Sequence, residues 1–168
     1  LLTNLTVSRS SDAGLYFVDS HNLLCDGFIA TACRGGVFGQ ANYGTLRHGL
    51  VISNFAYGVQ LRGNENLVDN CTLAYNGNPL GTSTYQVAFA QHGQLRNSIV
   101  VADGTNVCCF GPSTTPSTYT GDYNTFHTAG GALLATGHVA LTDWQNYSEK
   151  EGHSQQIDPL FVDSSQGD

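Results

Sequence analysis

Methionine is absent from this chain, position 1 included, and charged side chains are scarce at 11%, against about 25% in an average globular protein. A start without Met leads us to expect a segment processed or excised from a longer gene product. Basic residues are the scarcer charge. Six Lys and Arg against thirteen Asp and Glu give a net charge of -7, which repels phosphate backbones and anionic lipid headgroups. Nucleic acid and membrane insertion are therefore not expected. No apolar run approaches the roughly 18 residues of a spanning helix, and the opening Leu1-Leu2-Thr3-Asn4 lacks the charged-then-apolar layout of a signal peptide. The five cysteines, Cys25, Cys33, Cys71, Cys108 and Cys109, show no CxxC or Cys/His metal spacing. Two readings stay open for them, buried free thiols or at least one disulfide.

What is abundant is glycine, with 20 copies, together with Asn, Ser and Thr, the composition of a turn-rich, β-rich extracellular scaffold. At 168 residues one domain is expected. The chain also repeats itself. Leu2-Thr3-Asn4-Leu5-Thr6-Val7 aligns with Leu24-Cys25-Asp26-Gly27-Phe28-Ile29, then with the segments starting at Leu46, Val68 and Leu95, in steps of 22, 22, 22 and 27. A second register runs in phase from Gly14, Gly36, Gly58, Gln86 and Asn106. Both lengthen at the same place, so the extra residues form one insertion, read as Asn78 to Ser83. Within each repeat, aliphatics alternate over short runs bounded by Gly, Asn and Ser, which predicts short strands and disfavours helices. A single such coil cannot bury its apolar face. Coils stacked at about 4.8 Å share one core and pair with their neighbours. The predicted fold is all-β, a right-handed parallel β-helix of five to six coils over residues 1–126, with a C-terminal cap over 127–168.

The column Asn4, Asp26, His48, Asn70 and Asn97 resembles the asparagine ladder of right-handed β-helices of the pectate-lyase-like superfamily, and the resemblance covers most of the chain. It implies stacked, buried side chains in that column. It also implies a following strand with Val7, Ile29, Val51, Leu73 and Val100 inward. In the C-terminal part, Thr142 to Gln145 has a capping-box pattern for a short helix, and Asp158-Pro159-Leu160-Phe161-Val162-Asp163 closes the chain. This part resembles the end of bacterial β-helix proteins, many of them polysaccharide lyases or epimerases. Trp144, Leu160 and Phe161 are read as a lid over the core.

The resemblance places a substrate groove for acidic polysaccharide along the second strand column. Alternation puts Leu15, Phe17, Val37, Val59, Leu61, Val87, Phe89, Val107 and Cys109 inward. Tyr16, Val18, Phe38, Gln40, Gln60, Arg62, Ala88, Ala90, Cys108 and Phe110 then face out. These outward strand positions hold no carboxylate, although a calcium site needs clustered acidic oxygens and a glycosidase needs paired carboxylates. No cofactor is expected from the residues, and calcium enters only through the resemblance. Arg62, His92 and Glu65 are the candidate catalytic residues; Tyr16, Phe38, Gln40, Gln60 and Arg62 are the candidate substrate-binding ones. Long loops, particularly around Pro112 to Thr120, would hide this stripe if they folded over it. Of the sequons at Asn4, Asn70 and Asn146, the last is the expected acceptor, since the ladder reading buries the other two. Finally, the first coil starts at Leu2 without a cap, so a second expectation is an extracellular structural protein that stacks head to tail with further copies of itself.

Overall fold

The computed structural model of the chain describes residues 1–78 and 84–160, and it is a parallel β-solenoid of about 5 turns. The first turn consists of β1 (Leu2–Ser8) and β2 (Ala13–His21), the second of β3 (Leu24–Thr31) and β4 (Gly35–Asn42). The third comprises β5 (Thr45–Ile52) and β6 (Tyr57–Leu61). In later turns the first strand divides in two. The fourth has β7 (Leu67–Asp69), β8 (Thr72–Ala74) and β9 (Thr84–Phe89), and the fifth has β10 (Gly93–Arg96), β11 (Ile99–Asp103) and β12 (Val107–Phe110). β13 (Tyr119–Asp122) and β14 (Thr125–Ala129) begin another, followed by helix α1 (Leu141–Ser148) and β15 (Gln155–Gln156). All strand pairs are parallel and join one turn to the next, in sheets of ten and five strands. The core is one continuous stack that includes Val37, Val59, Val87, Val51, Leu73, Val100 and Phe126.

Each turn bends at three corners, and nearly every corner holds one residue at positive φ. The first column is Asn4, Gly27, His48, Asn70, Asn97 and Tyr123; the second is Arg9, Ala32, Ser53 and Tyr75; the third is Asn22, Tyr43, Glu65 and His92. Most are not glycine. A left-handed residue disfavoured in isolation is held here because its amide donates to the next turn, as Asn70 does to Arg96, Ser53 to Ala74 and Tyr43 to Asn64.

The expected left-handed turn is thus present at Asn4, His48, Asn70 and Asn97, but these side chains are exposed rather than stacked inside. The buried polar ladder lies one residue later. Behind the first corner, the Gly49 amide donates to Cys71 Sγ, Cys71 to Ser98 Oγ, Ser98 to Asn124 Oδ1 and Asn124 to Ser154 Oγ. Behind the second, the amide of Cys33 donates to Asn54 Oδ1, that of Asn54 to Asn76 Oδ1, and that of Asn76 to Gln86 Oε1. Asn66 makes a similar rung behind the third corner, accepting from the Gly44 amide. A positive-φ residue turns its own side chain to solvent and aims the next one at the turn above, which is why the ladder is displaced by one.

One turn is also out of step with a 22-residue period. A bulge between Val18 and Ser20 adds a residue to the first turn, so Asn4 stacks on Gly27, not Asp26. Ala30 therefore occupies the inward place expected for Ile29, which is 38% exposed. The insertion expected at Asn78 to Ser83 falls, apart from Asn78, outside the described residues. The five cysteines are free thiols. Burial pushes the Cys71 thiol up to about 12 and Cys109 higher still.

At the C-terminal end Trp144 is buried against Phe110, with ring centroids 5.4 Å apart, and so closes the core as expected. Leu160 is 76% exposed and forms no lid, and Phe161 lies outside the described residues. The capping box does not form. Ala140 is the N-cap, the Leu141 amide is satisfied by Gln156 Oε1 at 2.7 Å, and Gln145 Nε2 donates to the Glu151 carbonyl instead. No helix among the described residues is long and apolar enough to cross a membrane.

Candidate functional site

The five-stranded sheet β2-β4-β6-β9-β12 carries the candidate site, because its turns stack like residues in register. Tyr16 pairs with Phe38 and Phe38 with Gln60, while Tyr57 pairs with Tyr85. The registers bring rings face to face. Tyr16 and Phe38 stack at 5.2 Å with planes 13° apart, and Tyr57 and Tyr85 at 6.0 Å and 19°. Arg62 extends from the end of β6 over the Phe38 ring, its Cζ 5.2 Å from the centroid, a cation–π contact. Tyr16 remains 63% exposed. Gln40 lies open at the edge, with Gln60 half-buried beside the rings.

A shallow cavity of about 300 Å³ opens on this platform, lined by Asp12, Tyr16, Arg34, Phe38, Ala56, Tyr57 and Gln60. The five expected binding residues are thus brought to one face, and the structure adds Asp12, Arg34 and Tyr57. Burial raises the Tyr57 phenol, and the Asp12 carboxylate adds to that, while Arg34 and Arg62 pull in the opposite sense. Asp12 corrects the expectation of a carboxylate-free face, since it enters from the turn before β2 and not from a strand. Periodicity could not reveal it.

The lower half of the stripe is closed. Ala88 is buried because the chain after β12 crosses it, with Gly111 packed against Ala88 and Tyr85, and Thr114 Oγ1 accepting the Phe89 amide at 3.0 Å. Phe110 is also not outward: the register sets it opposite inward Val87, and it packs on Phe126, Tyr119 and Trp144.

The three candidate catalytic residues do not converge. Glu65 and His92 are successive residues of the third corner column and line one cleft of about 280 Å³ with Gln94, Ser117, Tyr119 and Lys150. Arg62 stands apart, over Phe38. A larger, shallow groove of about 570 Å³ follows the first corner past Asn4, Gly27, His48 and Asn70, but it carries no stacked rings and His48 is tied to Asp26 at 2.8 Å.

A third constellation is made of charged side chains. Asp26, Arg47, Asp69, Arg96 and Asp122 form one in-register column of alternating charge beside the first corner. Arg47 binds Asp26 at 2.7 Å, Arg96 binds Asp69 at 3.2 Å, and His153 binds Asp122 at 2.6 Å. The repeat alignment already sets Arg47, Asp69 and Arg96 in one column, and the one-residue slip in the second turn is what keeps Asp26 out of it. These carboxylates are paired with Arg47, Arg96 and His153 and lie away from the platform, where Asp12 stands as a single acid. No group of three or more His, Cys, Asp or Glu able to hold a metal occurs among the described residues. Among the described residues the clustered acidic oxygens that calcium requires are not brought together, so these residues do not fit that ion.

No family model, curated protein or solved structure matches this chain.

Proposed function

We propose that this chain is an extracellular carbohydrate-binding β-helix of the pectate-lyase-like kind, taking acidic polysaccharide on the Tyr16–Phe38 platform and serving for binding rather than catalysis. The observation that carries this reading is the stacked, open ring pair with Arg62 above it. Aromatic faces suit the apolar faces of sugar rings, and the guanidinium groups of Arg62 and Arg34 suit carboxylates. Gln40 and Gln60 add side-chain amides, which both donate to and accept from hydroxyls. Catalysis has less support, since Arg62 is separated from His92 and Glu65. Electrophoresis through gels containing alginate or pectate tests the binding, and ultraviolet absorbance of unsaturated products tests for lyase action. Retardation without product is expected; free migration in every acidic polymer would remove the reading.

A second reading is self-association into a head-to-tail filament, in which another copy would add to β1 and β2, each paired on one side within this chain. Leu1 and Leu2 are exposed at that end. The opposite end is covered by α1 and β15, so continuous stacking would require their displacement.

A further inference from the structure

We propose that the strap following α1, residues 149–156, is a proton-dependent latch that holds the last turn of the solenoid closed at mildly acid pH and opens as the pH rises. The strap is fastened at two points. At the inner one, Glu151 is 1% exposed. Its carboxyl group accepts from Asn124 Nδ2 at 3.1 and 2.9 Å and from the Ser154 hydroxyl, while its amide donates to the Gly121 carbonyl at 3.0 Å. The bare α-carbon of Gly121 makes room for both this carboxyl and the Tyr119 hydroxyl. From α1, Gln145 holds the Glu151 carbonyl. At the outer point, the His153 imidazole and amide both bind Asp122, at 2.6 and 2.7 Å, and the ring stacks on Tyr123 at 4.8 Å.

The groups that face Glu151 are therefore a phenol from β13, an amide from the corner before β14, an amide from α1 and a hydroxyl of the strap itself. None is a cation. Burial raises the Glu151 carboxyl from 4.5 to about 8, eased only by the Ser154 hydroxyl. The closed strap thus keeps a proton that the open strap loses. Its stabilisation is complete below the ordinary carboxylate value and is lost as pH rises towards about 8. Asp122 has the opposite sign. Burial would raise it, but the hydrogen bonds from His153 and the Tyr123 amide outweigh that and hold it below its ordinary value, so its contribution disappears only in stronger acid.

Opening would free an edge. β15 pairs with Thr125 and Phe126 of β14, and Gln156 also supplies the acceptor for the first amide of α1. With the strap released, β14 presents unpaired backbone groups to which another strand can add.

Hydrogen exchange of the intact chain between pH 5 and pH 9 tests the latch. Protection factors at Glu151, Gln155 and Ile157 are expected to fall by up to about tenfold per pH unit below pH 8, while those of β5 and β8 hold. Glu151→Gln should flatten the strap's response. Constant strap protection in the wild type would overturn the proposal, as would a parallel loss in every turn or an unchanged slope in the variant. The wild-type series decides even where the variant does not fold.

Discussion

A buried amide that donates to a side chain of the next turn has no water to replace it, and that asymmetry sets the cost of losing a rung. Asn76 accepts from both the amide and the Nδ2 of Asn54, and its own Nδ2 reaches Val51 and Gln86. Asn76→Ala strands several buried groups and is expected to cost about 1–3 kcal/mol for each one left unpaired, read as a lowered urea midpoint. Asn70, exposed with φ 51°, behaves differently: Asn70→Gly should leave the midpoint nearly unchanged, because glycine accepts that conformation freely. The contrast separates the two columns. The corner was legible because Asn recurs at 4, 70 and 97. The rungs behind the first corner were not, because Cys71, Ser98 and Asn124 share only an acceptor atom and show no repeated letter, whereas behind the second corner Asn54 and Asn76 do repeat at 22 residues, a signal that lies outside the aliphatic columns. Two sequons change standing for the same reason, since Asn4 and Asn70 are as exposed as Asn146. Thiol chemistry gives another check: Cys108 is half-buried and the other four cysteines are buried. An aromatic disulfide reagent should titrate one thiol in the native chain, slowly, and five after unfolding; several fast thiols would contradict the packing.

Between neighbouring strands, volume is shared from turn to turn. Phe28 of β3 points into the core directly over Gly49 of β5, and a Cβ at position 49 would meet its ring. Gly49→Ala is expected to cost about 1–3 kcal/mol through overpacking, and most of that should return in a Phe28→Leu background; additive losses in calorimetry would rule out the shared site. Strand alternation was legible for Leu15, Val37, Val59 and Val87, whose period of two is undisturbed. It misled where an element is irregular. The bulge after Val18 shifted the second turn by one and misassigned Ile29, and the chain crossing after β12 buried Ala88. The alternating column from Asp26 to Asp122 joins five successive turns. Its members are half-buried except for the exposed Arg96, so its ion pairs remain in reach of solvent and add only modest stability, although like charges in adjacent turns would penalise a slipped register.

For the molecule as a whole, stacking explains why the fold could be read and the residues of the candidate surface site only in part. A solenoid repeats its core in every turn, so the signal accumulates along the sequence. A surface site is formed once. Tyr16, Phe38, Gln60 and Arg62 could be placed because they ride on the repeat, whereas Asp12 and Arg34 come from turns between strands. At the C-terminal end the last turn is held by α1 and the strap. The most direct measurement of the central claim is a calorimetric titration of the chain and its Tyr16→Ala variant with acidic oligosaccharides at low salt. Saturable binding in the wild type, weakened about tenfold by loss of the stacked ring, is the predicted result. Equal affinity in the variant, or no binding of any acidic sugar by the wild type, would contradict the account.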